Sequence, residues 1–256
     1  MSGDSESDIP NDRPWTLAID VGGSGLKAAL LDAAGSMMGR RVRVETPYPL
    51  PPQRLVSALV QLTEPLGPAD RVSVGFPGMV RDSRVLSAPH FVTVAGPGTE
   101  ESPELLAAWK RFDLADALEA AFGRPVKVAN DADVQGSAVV SGHGFELAIT
   151  LGTGMGTALF NKGRLLPHME LSHHPFRKGE SYDEQVGDAA RRHVGEVKWN
   201  RRVRLALETL DELLFYDHVY IGGGNSRLLS LDLGPKATIV DNSAGILGGI
   251  KLWERS

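Results

Sequence analysis

The feature that constrains this chain most is an apolar run that ends in an aspartate and turns at once into glycines, Ala18-Ile19-Asp20-Val21-Gly22-Gly23-Ser24-Gly25. Short runs of strand-like composition flank it at 15–19 and 26–31, so the glycine turn joins two strands rather than opening a helix. A dinucleotide fingerprint needs a helix after the glycines, and no P-loop ending in Gly-Lys-Ser/Thr occurs in the chain. The turn is therefore either an ordinary hairpin or a place where backbone N–H groups approach a phosphate.

Two further glycine clusters follow apolar runs, at 151–157 and 221–225. Three apolar strands that each end in a glycine turn resemble the layout of the actin-like ATPase and sugar kinase superfamily. Within it, Asp-Val-Gly-Gly-Ser, Asn130-Asp131 and Glu170-x-x-His173 resemble the ROK family, bacterial sugar kinases that share a fold with repressors. The segments 151–159 and 198–203 resemble its polyphosphate glucokinase branch, and the likeness runs from about Leu17 to Trp253.

The resemblance implies an α/β, two-lobed actin-like ATPase (ribonuclease H-like) fold with a cleft between the lobes. We expect the first lobe at 15–129, joined by 244–256, and the second at 130–243. The implied function is transfer of a phosphoryl group from inorganic polyphosphate, ATP or both to the 6-hydroxyl of glucose or a related hexose. A strictly ATP-dependent hexokinase and a catalytically silent sugar-binding protein are the alternatives. The family also implies a homodimer.

The resemblance also assigns the glycine turns to the phosphates of the donor. The expected donor-binding residues are Asp20, Gly22, Gly23, Ser24, Lys27, Gly152, Thr153, Gly154, Gly222, Gly223 and Gly224. A carboxylate facing phosphates is useful only where Mg²⁺ lies between them. We therefore expect Asp20 to hold Mg²⁺ through phosphate or water.

The pair Asn130-Asp131 follows a predicted strand at 126–129, and carboxyl ends of strands are where open α/β sheets bind ligands. Asp131 could instead be only the N-cap of the next helix. The resemblance implies that Asp131 is the general base, which orients the sugar hydroxyl and accepts its proton. The sugar-binding residues implied in the same way are Gly78, Asn130, Glu170, His173 and Asp183.

Three positions near the expected sugar site stay open. Asp183 matches a family glutamate by register, but Glu184 stands beside it. His90 occupies a position where many relatives carry asparagine, which makes it a further candidate contact or an ordinary loop histidine. The loop that follows, from 92 to 103, is rich in Gly, Pro and Glu and could act as a lid.

Glu170 and His173 could also be read as a metal pair, since both residue types bind Zn²⁺. The chain contains no cysteine, which excludes thiolate ligands and disulfides. The polyphosphate branch is expected to lack the cysteine-rich zinc motif of most ROK kinases. We therefore expect sugar binding at this pair and no structural zinc.

The segment 189–215 is strongly helical in character, and its first part is basic. From Arg191 to Arg204 it carries six Lys or Arg residues and one Glu. Such a run can be no more than a solvated face. Because Lys198, Arg201 and Arg202 share one face and precede a predicted phosphate turn, we favour a polyphosphate track, which would gain from counterion release.

Composition and charge indicate which partners and which cellular location are expected. The net charge of −5 over 256 residues gives no reason to expect nucleic acid as a partner. No apolar stretch is long enough to span a bilayer, so no membrane role is expected. Residues 1–14 are acidic and lack the basic start and apolar run of a secretory signal. We expect this tail to be disordered and the protein to be cytoplasmic.

Overall fold

The structure is a computed structural model that describes residues 13–240 and 247–254. Its strands, in chain order, are β1 (Thr16–Val21), β2 (Leu26–Leu31), β3 (Met37–Val44), β4 (Arg71–Phe76), β5 (Val80–Arg81), β6 (Arg84–Val85), β7 (Val126–Asn130), β8 (Phe145–Leu151), β9 (Met155–Asn161), β10 (Arg164–Leu165), β11 (Pro175–Arg177), β12 (Glu180–Ser181), β13 (His218–Gly222) and β14 (Ala237–Ile239). Its helices are α1 (Pro52–Thr63), α2 (Pro103–Trp109), α3 (Leu114–Phe122), α4 (Asp131–Val139), α5 (Tyr182–Val186), α6 (Asp188–Val194), α7 (Glu196–Leu214) and α8 (Lys251–Glu254).

Two five-stranded sheets of the same design form the two lobes. The first has the order β3-β2-β1-β4-β7 and the second the order β10-β9-β8-β13-β14. In each sheet three antiparallel strands are continued by two parallel ones. The glycine turn at 22–25 therefore joins an antiparallel pair, as predicted, and the turn at 152–154 occupies the equivalent place in the second sheet.

Each sheet has its own apolar core. β1 is buried along its whole length except at Asp20, which is the typical pattern of a strand covered on both faces. α1 covers the first sheet with Leu55 and Leu59, whose spacing places them on one face. In the second lobe, Trp199 and Val203 of α7 pack on the second sheet.

The segment 189–215 is helical, as predicted, but it is divided into two helices. Gly195 separates α6 from α7 and has a φ of +78°, a conformation that a helix cannot contain. α7 then ends at Leu214, because the next residue, Phe215, has a φ of +51°. The break changes the direction of the chain, so Arg191 and Arg192 do not lie on the same helix as Lys198.

The end of the chain returns to the first sheet. Trp253 of α8 donates from Nε1 to Oγ of Ser73 at 2.8 Å, and Nζ of Lys127 lies 4.7 Å from the centre of the Trp253 ring. The start of the segment 244–256 that is expected to join the first lobe, and most of the predicted tail at 1–14, lie outside the described residues. The exact lobe boundaries stay a prediction. Among the described helices, none has the length and apolar character needed to cross a membrane.

Candidate active site

A cavity of about 480 Å³ lies between the two lobes and takes residues from both sheets. All five predicted sugar-binding residues line it, and so does Asp131. Of the predicted donor-binding residues only Gly222 is missing from its walls, because it is still the buried last residue of β13. The structure therefore places nearly all the residues predicted to bind donor or sugar in one cavity, although they are spread from position 20 to position 224 of the chain. Their individual roles stay predictions.

The first glycine turn is held by hydrogen bonds to its backbone carbonyls. Gly22 donates to the carbonyl of Gly25 at 3.0 Å, which closes the turn. Thr46 donates to the carbonyl of Gly22 at 2.6 Å, and the hydroxyl of Tyr48 donates to that of Gly23 at 2.7 Å. With these carbonyl oxygens occupied, the turn can present N–H groups to an anion.

Asp20 and Lys27 stand opposite one another across the β1–β2 pair, at the mouth of this turn. Lys27 Nζ lies 2.8 Å from Asp20 Oδ2, and both side chains keep part of their surface exposed to the cleft. The Asp20 carboxylate and the Lys27 ammonium group therefore lie side by side next to the first glycine turn, and both line the cleft.

The second and third glycine turns are locked to each other. The N–H of Asn225 donates to the carbonyl of Leu151 at 2.9 Å, and its side chain donates to the carbonyl of Gly152 at 3.1 Å. Gly223 has a φ of +86°, and a Cβ there would lie 2.4 Å from the oxygen of Leu151. Only glycine fits this crossing point, so the two turns form one rigid surface.

Asp131 is the first residue of α4 and lies at the carboxyl end of β7. The cap of α4 is Asn130, whose Oδ1 accepts from the N–H of Ala132 at 2.8 Å and whose Nδ2 donates to the carbonyl of Gly78 at 3.0 Å. Asp131 Oδ1 also accepts from Ala132, at 3.0 Å. Because Asn130 caps the helix, capping is not the role that explains Asp131.

The electrostatic surroundings of Asp131 favour its neutral form. Burial raises the pKa of this carboxyl most, and the nearby charge of Asp20 raises it further, to about 7. The charges of Asp133 and Glu170 act in the same direction, while the N–H of Ala132 lowers the pKa. A pKa near neutrality is what a general base working at pH 7 requires.

Sequence reasoning missed a largely buried histidine in the wall of the cleft, His168. His168 Nδ1 lies 2.9 Å from Asp133 Oδ1, and its Nε2 lies 3.4 Å from Glu170 Oε1. Burial lowers the pKa of His168, but the hydrogen bond with Asp133 and the proximity of both carboxylates outweigh it and raise the pKa to about 9. The ion-pair contact with His168 is also the main reason why the pKa of Glu170 is lowered.

The structure separates Asp183 from Glu184. Asp183 lines the cleft and accepts from the N–H of Met155 at 2.5 Å, at the end of the second glycine turn. Glu184 instead forms a capping box with Ser181 at the start of α5. Asp183 is therefore the residue placed to contact a ligand in the cleft.

His90 enters the cleft from the first lobe. Burial lowers its pKa, and the charge of Asp183, which lines the same cleft, opposes that effect. The loop that carries His90 packs on the first glycine turn, where a Cβ on Gly23 would lie 2.9 Å from Pro97 Cγ and 3.2 Å from His90 Cγ. Closing or opening of this loop stays a prediction.

The three cations of the predicted polyphosphate track lie outside the cleft. Lys198, Arg201 and Arg202 line a separate surface cavity of about 420 Å³ together with Arg177 and Lys178. Arg202 is anchored by donating to the carbonyl of Gln185 in α5 at 3.2 Å. The opposite face of α7 is buried, so the basic face is oriented outward as its spacing predicts.

No described group of three or more His, Cys, Asp or Glu side chains is arranged to hold a metal ion. Glu170 and His173 both line the cleft, which suits the sugar-binding alternative better than the metal alternative. The expectation that structural zinc is absent stays a prediction.

The protein has the two-lobed α/β fold of actin-like ATPases and sugar kinases. This fold class is defined by two sheets of the same design, three glycine turns and a cleft between the lobes. The model of the ROK family matches residues 16–169, more than half of the chain. This protein belongs to the ROK family. The match confirms the resemblance to this family and covers two of the three short motifs, since Glu170 and His173 lie just beyond it.

Individual relatives extend over nearly the whole chain. A polyphosphate glucokinase from Mycobacterium tuberculosis is 26% identical over 248 residues, which cover 91% of this chain and 88% of that protein. The crystal structure of an inorganic polyphosphate/ATP-glucomannokinase from Arthrobacter sp. strain KM has a TM-score of 0.78 and 28% identity, covering 94% and 100% of the two chains. A ROK family glucokinase from Streptomyces griseus, solved in complex with glucose and AMPPNP, has a TM-score of 0.72 at 19% identity, covering 93% and 98%, and supports the fold alone.

Proposed function

We propose that this protein is a hexose kinase that transfers a phosphoryl group from inorganic polyphosphate, and also from ATP, to the 6-hydroxyl of glucose or a related hexose. The observation that carries the proposal is the placement of Asp131. Its carboxyl, with a pKa raised to about 7, lies in one cleft with the glycine turns and with the polar side chains predicted for sugar. A base, an acceptor site and a donor site are the parts that phosphoryl transfer needs.

In this proposal the sugar is held by the carboxylates and the imidazole that line the second-lobe side of the cleft. Glu170 and Asp183 accept from vicinal hydroxyls, and His173 and Asn130 supply donors. Asp131 orients the 6-hydroxyl toward the donor and accepts its proton as the phosphoryl group is transferred. The chain contributes chiefly position and charge, since phosphoryl transfer needs little covalent help.

The donor is held by the three glycine turns and Lys27. Mg²⁺ is commonly bound by one or two carboxylates together with phosphates. The carboxylate of Asp20, beside the first glycine turn, would hold it. When bound, Mg²⁺ supplies charge neutralisation between the phosphate oxygens. Lys27 lies beside Asp20 and can contact the same phosphates.

The basic cavity on α7 favours polyphosphate as one donor. Five cationic side chains line it, and none of the five takes part in an ion pair among the residues that the structure describes. The short helix α5 links this cavity to the cleft, because Asp183 lines the cleft and Gln185 binds Arg202. A linear polyanion engaged at both places would release several counterions, whereas ATP would reach fewer cations.

A coupled assay with glucose or mannose as acceptor and ATP or long-chain polyphosphate as donor tests the proposal. The double variant Arg201→Ala/Arg202→Ala should raise KM for polyphosphate far more than KM for ATP. Arg204→Ala is the matched control, because Arg204 lies on the same helix but not in the basic cavity. Polyphosphate affinity should also fall with salt, with a log–log slope of about 0.7 per neutralised phosphate if single-stranded nucleic acid is a fair guide.

The outcomes separate the alternatives. Turnover with ATP but none with polyphosphate would leave a strictly ATP-dependent hexokinase. Equal effects of the double variant on both donors would mean that the basic face supports the fold or a shared phosphate site. Sugar binding without turnover on either donor would indicate a silent sugar-binding protein and refute the proposal.

A further inference from the structure

We propose that His168 is a positioning residue that joins the buried carboxylate of Asp133 to Glu170 and thereby holds Glu170 ready for the sugar. The inference rests on the proposed function in one respect, namely that Glu170 binds a sugar hydroxyl. The new element is that His168 and Asp133 act on the hexose indirectly, through Glu170. Asp133 does so although it does not line the cleft.

The imidazole of His168 bridges two carboxylates. Its side chain is only 3% exposed, with Asp133 Oδ1 2.9 Å from Nδ1 and Glu170 Oε1 3.4 Å from Nε2. Only the imidazolium form carries a hydrogen on both ring nitrogens, so only this form can face two acceptors. No hydrogen bond of normal geometry within the described residues satisfies Nε2, so Glu170 is the group toward which it is directed.

The charges around His168 come from several elements. Asp133 faces it from α4, and Glu170 faces it from its own segment. Arg81 of β5 donates to the backbone carbonyl of His168 at 3.3 Å, which fixes the chain rather than the ring. Behind these, Asp131 adds negative charge near both carboxylates, and His173 lowers the pKa of Glu170.

This arrangement would be costly if it served packing alone. A buried ion pair is often no more stabilising than apolar side chains of the same volume, because the charges must be desolvated. Asp133 is 5% exposed on its side chain and does not line the cleft, while Glu170 is 24% exposed and does. The charge of His168 therefore links a carboxylate without access to ligand to one that has it.

Bridging also fixes the ionisation of Glu170. Without the charge of His168, this carboxylate would lie close to Asp131 and Asp133, whose negative charges oppose its ionisation. Because the carboxylates raise the pKa of His168 to about 9, the bridge is present at neutral pH and is lost as the pH rises through 9. Glu170 then loses the partner that orients it, and sugar binding should weaken.

The test uses His168→Gln and Asp133→Asn in the full-length protein. The amide introduced by His168→Gln would keep a hydrogen-bond donor without the charge, and the amide introduced by Asp133→Asn would keep an acceptor but remove the reason for the imidazole to be protonated. Both variants should raise KM for the hexose by roughly ten- to hundred-fold, the cost of leaving a buried acceptor unsatisfied, with at most a few-fold change in kcat. His143→Gln, in an exposed loop, is the control and should change neither parameter.

The pH profile distinguishes a positioning role from a structural one. In the wild type, hexose affinity should fall above a pH of about 9, and in Asp133→Asn that fall should move to lower pH. NMR of protein labelled with ¹⁵N-histidine gives an independent measurement. Both ring nitrogens of His168 should be protonated at neutral pH. A neutral His168 at that pH, or an unchanged KM for the hexose in both variants, would overturn the inference.

If the proposed function is wrong, the result will differ from the one that overturns the inference on His168. A wild-type protein that phosphorylates no hexose with any donor would refute the function, whatever the state of His168. If His168→Gln does not fold, Asp133→Asn and the NMR measurement still decide, since neither removes the ring. Loss of thermal stability with an unchanged ratio of kcat to KM would assign His168 a structural role and refute the inference.

Discussion

Replacing Asp131 by asparagine should remove turnover and, at neutral and alkaline pH, stabilise the folded protein. Both effects have one cause, the cost of an ionised carboxylate at this position. Burial and the charge of Asp20 raise the pKa of Asp131 from 3.8 to about 7. Asparagine keeps an oxygen for the N–H of Ala132 but carries no charge at any pH.

The size of the stabilisation follows from linkage. Raising the pKa from 3.8 to about 7 corresponds to about 4 kcal/mol between the two protonation states. This is an upper limit, because Asp131 keeps part of its surface exposed to the cleft and water there screens its charge. A group with a raised folded-state pKa contributes stability that is present below 3.8 and is lost as the pH rises through about 7. The advantage of the asparagine variant should therefore grow from about pH 5 to about pH 8, by about 2 kcal/mol.

Urea unfolding at about pH 5 and about pH 8, together with steady-state kinetics, measures both effects. Turnover of the variant should fall by a factor of about 10² to 10⁴ while the Kd for the sugar changes little. Asp82→Asn, at an exposed turn, is the matched control for removing one negative charge. Near wild-type turnover would refute the base assignment, and an equal change in stability at both pH values would refute the electrostatic reasoning.

Kinetics and light scattering test three other expectations. The value of kcat/KM for the hexose should fall as the pH drops below about 7, because protonated Asp131 cannot accept a proton; a profile that stays flat well into the acid range would contradict this. Gly223→Ala should raise KM for the donor more than KM for the sugar, because a Cβ at φ +86° would push the third glycine turn away from Leu151, and kinetics with each substrate varied will show it. The family resemblance predicts a homodimer, and light scattering that shows only monomer across micromolar concentrations would rule it out.

The parts of the fold that the sequence predicted are those encoded by neighbouring residues. The hairpin around Gly22 and Gly25 follows from two strand-like runs with glycines between them. The choice between Asp183 and Glu184 was also within reach of local reasoning. Ser181-x-x-Glu184 is a capping-box pattern, and recognising it assigns Glu184 to the helix and leaves Asp183 for the cleft.

The parts that could not be predicted depend on contacts between distant segments. Asp133 and His168 are 35 residues apart, and no periodicity or motif relates them. Their pairing exists only because α4 and the loop after β10 meet behind the cleft. The resemblance to a family located the cleft but offered no information on His168, since only residues that match a motif can be carried over.

The proposal that Asp131 is the base is supported by how cations are distributed among the acids around it. Three carboxylates surround Asp131 closely enough to raise its pKa: Asp20, Asp133 and Glu170. Lys27 pairs with the first, and His168 lies between the other two. Within the described ranges no ion pair involves Asp131, so of these four acids it is the one that carries the repulsion of its neighbours without an offsetting cation. Burial raises the pKa of Asp133 as well, but His168 opposes that shift, whereas the pKa of Asp131 rises to about 7. The same arrangement keeps Glu170 ionised to accept from a hydroxyl.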